Sequence, residues 1–318
     1  MHKSLLLLLF ISLVASFAAF AAAADDQVSH LPLQSVEAPR FHMAALKRSH
    51  IKHRKHRGRG GQVRRRRKKK QKHHQNSHGL LQYCLGKPPC FTFANMIVSP
   101  IYWGQAWQDP TYQSDIISSN EELYSHLTGT PYMSVLSQYL DAPPVISYNR
   151  AYFNYSTSFS SFNFHTIAHR MAEMACSVAQ INGLDSSNYY FPIYVDYNRG
   201  IANFCGFHGT SRCEVSGKTI HLNYAFFFDV RNDADCSVGL HTFGRSQGAA
   251  NLANVGIHEL VETMTDPGGH GWFTKGLHGE EIADLCEQYL STIQLSDGSY
   301  WEVQGIYSNA ARMCVWYP

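Results

Sequence analysis

GIHELVETMTDP, residues 256–267, is the stretch on which the reading of this chain turns. It is one residue away from H-E-x-x-H, a pattern in which two histidines one helical turn apart hold a metal ion. Here Glu262 stands where the second histidine would be. With its upstream flank AANLANV the stretch predicts a central helix from Asn251 to Thr265, stopped by Pro267. Ile257, Leu260, Val261 and Met264 give that helix an apolar face. His258 and Glu262 are four apart and project side by side, and Asp266 continues their line at the next turn.

A rigid imidazole–carboxylate pair suits a divalent cation, because preset ligands avoid the entropy of ordering two loose side chains. Zinc accepts His nitrogen and carboxylate oxygen alike. An acid-rich set also admits calcium or another divalent cation. Glu259, next to His258, occupies the position of the base that deprotonates the attacking water. The remaining ligands are expected downstream, in GEEIADLCEQ (279–288), where eighteen residues separate Glu262 from Glu281. Glu281 and Asp284, three apart, would share a helix face, with Asp284 or Asp266 supporting or replacing a ligand. His270 and Trp272, in the glycine-rich connection, and His208, in CGFHGT, are candidate substrate contacts, Trp272 as a wall of the cleft; His208, in a loop that a disulfide would close, reads otherwise as a plain surface histidine.

The chain's ends set its compartment. Residues 1–24 have a basic start, an apolar run and an alanine-rich close, the layout of a signal peptide cleaved after Ala24. After cleavage no segment is long and apolar enough to span a bilayer. All eight cysteines lie beyond residue 80, and in an oxidising compartment they should pair. Spacing suggests Cys84–Cys90, Cys205–Cys213 and Cys286–Cys314. Localisation is therefore expected to be secreted, extracellular or in a cell wall.

Charge divides the chain. Residues 40–72 hold 16 of the 27 Lys and Arg, whereas beyond Gly79 there are 10 Lys and Arg against 21 Asp and Glu, a net of −11. Residues 25–78 read as a disordered basic arm or pro-segment, and 79–318 as the folded domain. Residues 40–74 could hold an acidic polysaccharide or another anionic surface by counterion release. No aromatic residue interrupts 44–78, so base stacking on nucleic acid has no support there.

Within the domain, 95–104, 188–197 and 218–230 read as strands, and 162–183 as a helix closed by Gly183. The stretch 119–140 reads as helical pieces broken at Gly129 and Pro131. The alternation predicts one α/β (α+β) domain stapled by disulfides. GRSQG (244–248) lacks the strand-to-helix setting of a nucleophile elbow, and no phosphate loop or dinucleotide fingerprint occurs.

HELVETMTDPGGHGW followed by EIADLCEQ resembles the H-E-L-x-E-x-x-T-D-P … E-I-G-D-x-C pattern of secreted zincin-like proteins. EVQGIYSNAARMCV is similar to their closing element, and VSPIYWG and FCGFHG resemble pieces of the plant Exordium, or phosphate-induced, group. Ala283 stands where the pattern prefers glycine. The resemblance implies a zincin-like fold around a central active-site helix, secretion, and a metal at His258 with acidic partners. It makes a metallopeptidase acting on a peptide or protein substrate the leading expectation. A non-catalytic extracellular interaction protein on the same scaffold is the alternative.

Overall fold

The computed structural model describes residues 40–42, 80–84, 90–157, 159, 163–236, 241–269, 271–275 and 279–318. The leader, most of the arm, and the candidate residue His270 lie outside the described residues.

The chain enters through β1 (Arg40–His42) and β2 (Leu81–Tyr83), then β3 (Asn95–Val98) and β4 (Ile101–Trp103). The expected strand 95–104 is thus two, parted by Ser99 and Pro100, because proline has no N–H to give to a ladder. Helix α1 (Ser118–His126) ends before Gly129, whose φ of +79° only glycine adopts freely, and Thr130 caps a new turn by accepting from the Met133 amide. β5 (Val145–Tyr148) and β6 (Tyr152–Asn154) follow, then α2 (Phe164–Asn182), closed as expected by Gly183 at φ +64°. β7 (Tyr189–Asn198), β8 (Gly206–Val215) and β9 (Lys218–Asp229) complete the main sheet.

The sheet runs β1-β8-β9-β7-β3-β5, with β4 and β6 continuing the rows of β3 and β5. β9, β7, β3/β4 and β5/β6 are parallel, and β8 and β1 are antiparallel additions at one edge. Tyr190–Val195 of β7 is buried at every position, as expected for a parallel strand covered on both faces. Ser216 and Gly217, both at positive φ, make the two-residue turn that folds β8 back along β9.

Successive residues of β8 face opposite sides of the sheet. Cys213 points to α2, to which it is disulfide-bonded through Cys176; His208, of opposite parity, points to α3 (Gln247–Thr265). The central helix begins four residues earlier than expected, at an N-cap where Ser246 Oγ accepts from the Ala249 amide. Every residue from Gly248 to Thr265 is buried, so α3 is an interior helix and not a surface one with a single apolar stripe. Gly256 allows this: a Cβ there would lie 2.7 Å from Tyr124 Oη and 3.1 Å from Tyr194 Oη, which hydrogen-bond each other at 2.9 Å.

Beyond α3 come β10 (Trp272–Thr274), β11 (Leu290–Gln294), β12 (Tyr300–Gln304), β13 (Ile306–Ser308) and β14 (Met313–Val315), in three small two-stranded sheets, the first of which pairs β10 with β2. The segment 281–286, expected as a helix, is a turn ending in one 3-10 coil at Asp284–Cys286.

Four disulfides brace the domain: Cys84–Cys90, Cys176–Cys213, Cys205–Cys236 and Cys286–Cys314. Cys205–Cys213 does not form. The intervening residues are strand β8, which carries its ends about 26 Å apart at 3.3 Å per residue, far beyond bridging range. Arg40–His42, placed by sequence in an arm without order, instead pairs with β8 as an edge strand.

Candidate metal centre

Three elements bring the ionisable groups together. α3 supplies His258, Glu259 and Glu262 from successive turns; β8 supplies His208; the 281–286 turn supplies Glu281 and Asp284. The turn is held over the helix by hydrogen bonds. Glu262 Oε1 accepts from the backbone amides of Ala283 (3.3 Å) and Asp284 (3.1 Å). Gln304, at the end of β12, donates its side-chain amide to Ala283 O at 3.0 Å, while its own backbone amide donates to Asn254 Oδ1 on α3 at 2.9 Å. Cys286–Cys314 anchors the far side.

Two groups of donors result, and they share Glu262. In the first, His258 Nε2 lies 3.1 Å from Glu262 Oε2 and 3.7 Å from Asp284 Oδ1. These three atoms are buried and none makes a hydrogen bond. Donors on a tetrahedral zinc, with bonds of about 2.0–2.1 Å, stand about 3.3 Å apart. In the second group His208 Nδ1 lies 3.1 Å from Glu259 Oε2 and 3.7 Å from Glu262 Oε2. Its Nε2 is 3.0 Å from the Asp266 carbonyl, which can only accept, so the Nε2–H donates there and Nδ1 faces the carboxylates. Both groups could hold a metal ion.

Burial makes the electrostatics severe. Glu259, Glu262, Asp266 and Glu281 are all essentially inaccessible. Burial pushes the His258 and His208 pKa values down, but the neighbouring carboxylates override it. Glu262 holds His258 well above its usual range, and Glu259 takes His208 up to about 9. Burial raises Glu259. Burial and the charge of Glu262 together push Glu281 and Asp284 well up. Burial also opposes ionisation of Glu262, yet the charge of His258 leaves it below its usual value.

The structure sorts the remaining candidates. Asp284 Oδ1 stands 3.7 Å from His258 Nε2, while Glu281, close enough to Glu262 to feel its charge, has Oε1 3.5 Å from His208 Nε2. Asp266 closes α3, its Oδ1 accepting from the Gly271 amide at 2.6 Å. His208, expected in a disulfide loop as a surface contact, is instead a fully buried member of the ionic cluster on β8. Trp272 does not wall the site: its indole donates to Tyr139 O and lines a separate cavity of about 470 Å³ with Tyr83, Phe91 and Tyr139. The centre opens instead on a cavity of about 40 Å³ lined by His258, Glu259, Asn254, Gln304, Asp235 and Glu287. Asn254 carries no motif signal, and Gln304 lies in the closing stretch EVQGIYSNAARMCV without a role that the stretch itself announces. Asn154, in an N-x-S sequon, is buried in β6 with Oδ1 bonded to Ser156, so it is no surface acceptor in the folded state.

No protein-family profile matches the chain, and no curated protein is similar to it at a significant level.

Proposed function

We propose that this is a secreted metal-dependent hydrolase of the zincin-like kind, acting on peptide or protein. The observation carrying this reading is the convergence of His258 Nε2, Glu262 Oε2 and Asp284 Oδ1, three buried donors without hydrogen bonds that lie within 4.8 Å of one another, beside an unbonded Glu259 Oε1. These three residues would hold the ion. The imidazole favours zinc over calcium, which takes oxygen ligands only. When bound, zinc supplies Lewis acidity that polarises a carbonyl oxygen.

The chain's own groups do the rest. Glu259 keeps Oε2 on His208 and leaves Oε1 free to accept a proton from water in the cavity it lines. His208, fixed by the Asp266 carbonyl, orients that carboxylate. Glu262 Oε1 keeps the Asp284 turn in place. The four disulfides fit an extracellular setting, and among the described residues no helix is long and apolar enough to cross a membrane.

Metal analysis of the purified chain, paired with Glu259→Gln on a broad peptide library, tests the reading. One zinc per chain is expected in both proteins, with cleavage lost by about 10²–10⁴-fold in the variant. Stoichiometric metal without Glu259-dependent cleavage would leave a binding site and no enzyme.

One observation favours a second reading. A cavity of about 40 Å³ admits a few waters but no substrate side chain, which suits a non-catalytic extracellular or cell-wall interaction protein with a structural ion. The basic segment 40–74 would then grip acidic polymers. Retention on heparin-like or pectin-like matrices, unchanged at low salt when 40–74 is deleted, would rule that out.

A further inference from the structure

The cavity of about 470 Å³ beside Trp272 is separate from the metal centre, and every residue lining it is among those described. β2 brings Tyr83 and β10 brings Trp272, which are register partners in a two-stranded sheet. The stretch 138–141 and the residues after Cys90 complete the lining. The frame is fixed from several sides. Asn309 bonds the Leu81 backbone twice, accepting from its amide and donating to its carbonyl, both at 2.9 Å. The Cys84 amide donates to Gly271 O at 2.8 Å, and the Cys84–Cys90 disulfide ties β2 to Phe91. A cavity of this size, held this firmly, is in the range that takes a small ligand.

Its walls offer aromatic surface and one negative charge. The Trp272 ring centroid lies 5.3 Å from that of Tyr83 and 5.2 Å from that of Tyr139, with the planes inclined at 38° and 74°. Three rings at different tilts enclose a space and do not form one flat platform. Their polar atoms are largely spent on the protein itself. The Trp272 indole donates to Tyr139 O at 2.8 Å. The Tyr139 hydroxyl donates to Tyr307 O at 2.8 Å and accepts from the Asn309 amide at 2.7 Å. Gln138 Oε1 accepts from Ser308 Oγ and from the Ala310 amide, both at 3.1 Å. No Lys, Arg or His lines the cavity. Asp141, exposed at its rim, makes no hydrogen bond or ion pair among the described residues.

This chemistry selects among ligands. A sugar ring needs several donors and acceptors around it, and few remain here. A neutral apolar ligand would strip water from Asp141 without replacing it. A cation satisfies both features: the negative faces of the rings attract it, and the carboxylate balances its charge. Methylated ammonium and guanidinium groups give up water more easily than a primary ammonium, and guanidinium also stacks on aromatic faces. The surrounding domain, at −11 beyond Gly79, favours their approach. We propose that the cavity binds a weakly hydrated organic cation, a quaternary ammonium or a guanidinium, seated among Tyr83, Tyr139 and Trp272 with Asp141 as its counter-ion. The cavity stands apart from the hydrolase reading, since none of its lining residues belongs to the metal centre.

The test titrates the full chain with choline, with N-acetylarginine methylamide and with dimethylbutanol, the neutral carbon isostere of choline. Binding is read from the NMR signal of the Trp272 indole N–H, identified by its loss in Trp272→Phe, with chelator present and with added zinc. At least one cation should shift that signal, binding about tenfold more tightly than dimethylbutanol, whether or not zinc is present. Tyr83 and Asp141 are exposed, so Tyr83→Leu and Asp141→Asn should stay folded, as the other indole signals report. Each should weaken binding about two- to fivefold, and Asp141→Asn should also flatten its salt dependence. Choline alone would name a free methylated amine as the ligand, and the arginine derivative alone a guanidinium carried on a peptide. Dimethylbutanol binding as tightly as either cation overturns the proposal. So does the absence of a Trp272 shift with both cations, or an affinity untouched by both substitutions. Peptide hydrolysis is not the readout, so failure here leaves the enzyme reading standing, and loss of that reading leaves the cation site.

Discussion

Removing the metal should make the protein alkali-sensitive in a way the loaded form is not. In the metal-free cluster the positive charge is carried by imidazolium. Burial alone would lower the His208 pKa, but its contact with Glu259 and the charge of Glu262 hold it at about 9 against 6.5 for a free histidine. Because the folded value lies above the unfolded one, the associated stability is fully present below pH 6.5. It is lost as pH rises through 9. A displacement of that size corresponds to about 3 kcal/mol at 1.4 kcal/mol per pH unit. His258, raised by Glu262 against the effect of burial, acts with the same sign. So do Glu281 and Asp284, whose raised values reflect burial and the charge of Glu262: each favours folding while protonated and opposes it once ionised. The metal-free chain should therefore lose at least about 3 kcal/mol between about pH 6 and pH 9.5, or about 6–12 °C in Tm for a domain of this size. A bound cation requires deprotonated ligands, so the loaded chain gains affinity over the same range. Thermal unfolding across that range, with chelator and with added zinc, measures both curves. Profiles that superimpose with and without chelator, or a chelated chain as stable at the alkaline end as at the acid end, would refute the reasoning.

Gly256→Ala places a methyl 2.7 Å from Tyr124 Oη and should cost about 1–3 kcal/mol in urea unfolding; adding Tyr124→Phe should recover part of it. Breaking Cys205–Cys236, which closes a loop of separation 31 and lines the cavity at His258, should cost about 4 kcal/mol in denaturant and weaken metal retention under dialysis.

How legible was this in the sequence? The α3 helix was, because its apolar spacing and Pro267 are local signals, and so were β7 and β9, runs of aromatic and β-branched residues. β8 was not. Gly206, Gly209 and polar residues dilute its pattern, and only the Ser216–Gly217 turn betrays a hairpin. Missing that strand led to the wrong disulfide partner for Cys205 and put His208 in a surface loop, when an extended backbone carries it into the interior. At the site, His258 and Glu262 were readable because one helical turn fixes them. The third donor depended on whether 281–286 is helix or turn. As a helix, Glu281 and Asp284 would face one way; as a turn they part, Glu281 to His208 and Asp284 to His258.

Glu262 itself explains why a second histidine is absent. Its two oxygens have separate tasks: Oε1 accepts the amides of Ala283 and Asp284, folding the acidic turn over the helix, while Oε2 faces His258 and Asp284. A neutral imidazole has only one acceptor nitrogen, so it can hold an ion or accept the turn's amides, but not both. Glu262→His, which would restore H-E-x-x-H by sequence, should therefore lower metal affinity. Mutation of groups that orient ligands typically costs 10–100-fold, and a loss of that order is expected here. The orphaned Ala283 amide, which is buried, adds about 1–3 kcal/mol of destabilisation, and the partly buried Asp284 amide adds less. Zinc titration against a competing chelator, with urea unfolding of both proteins, measures the two effects. A variant that bound zinc as tightly as the parent would mean that the turn is held by something other than this carboxylate.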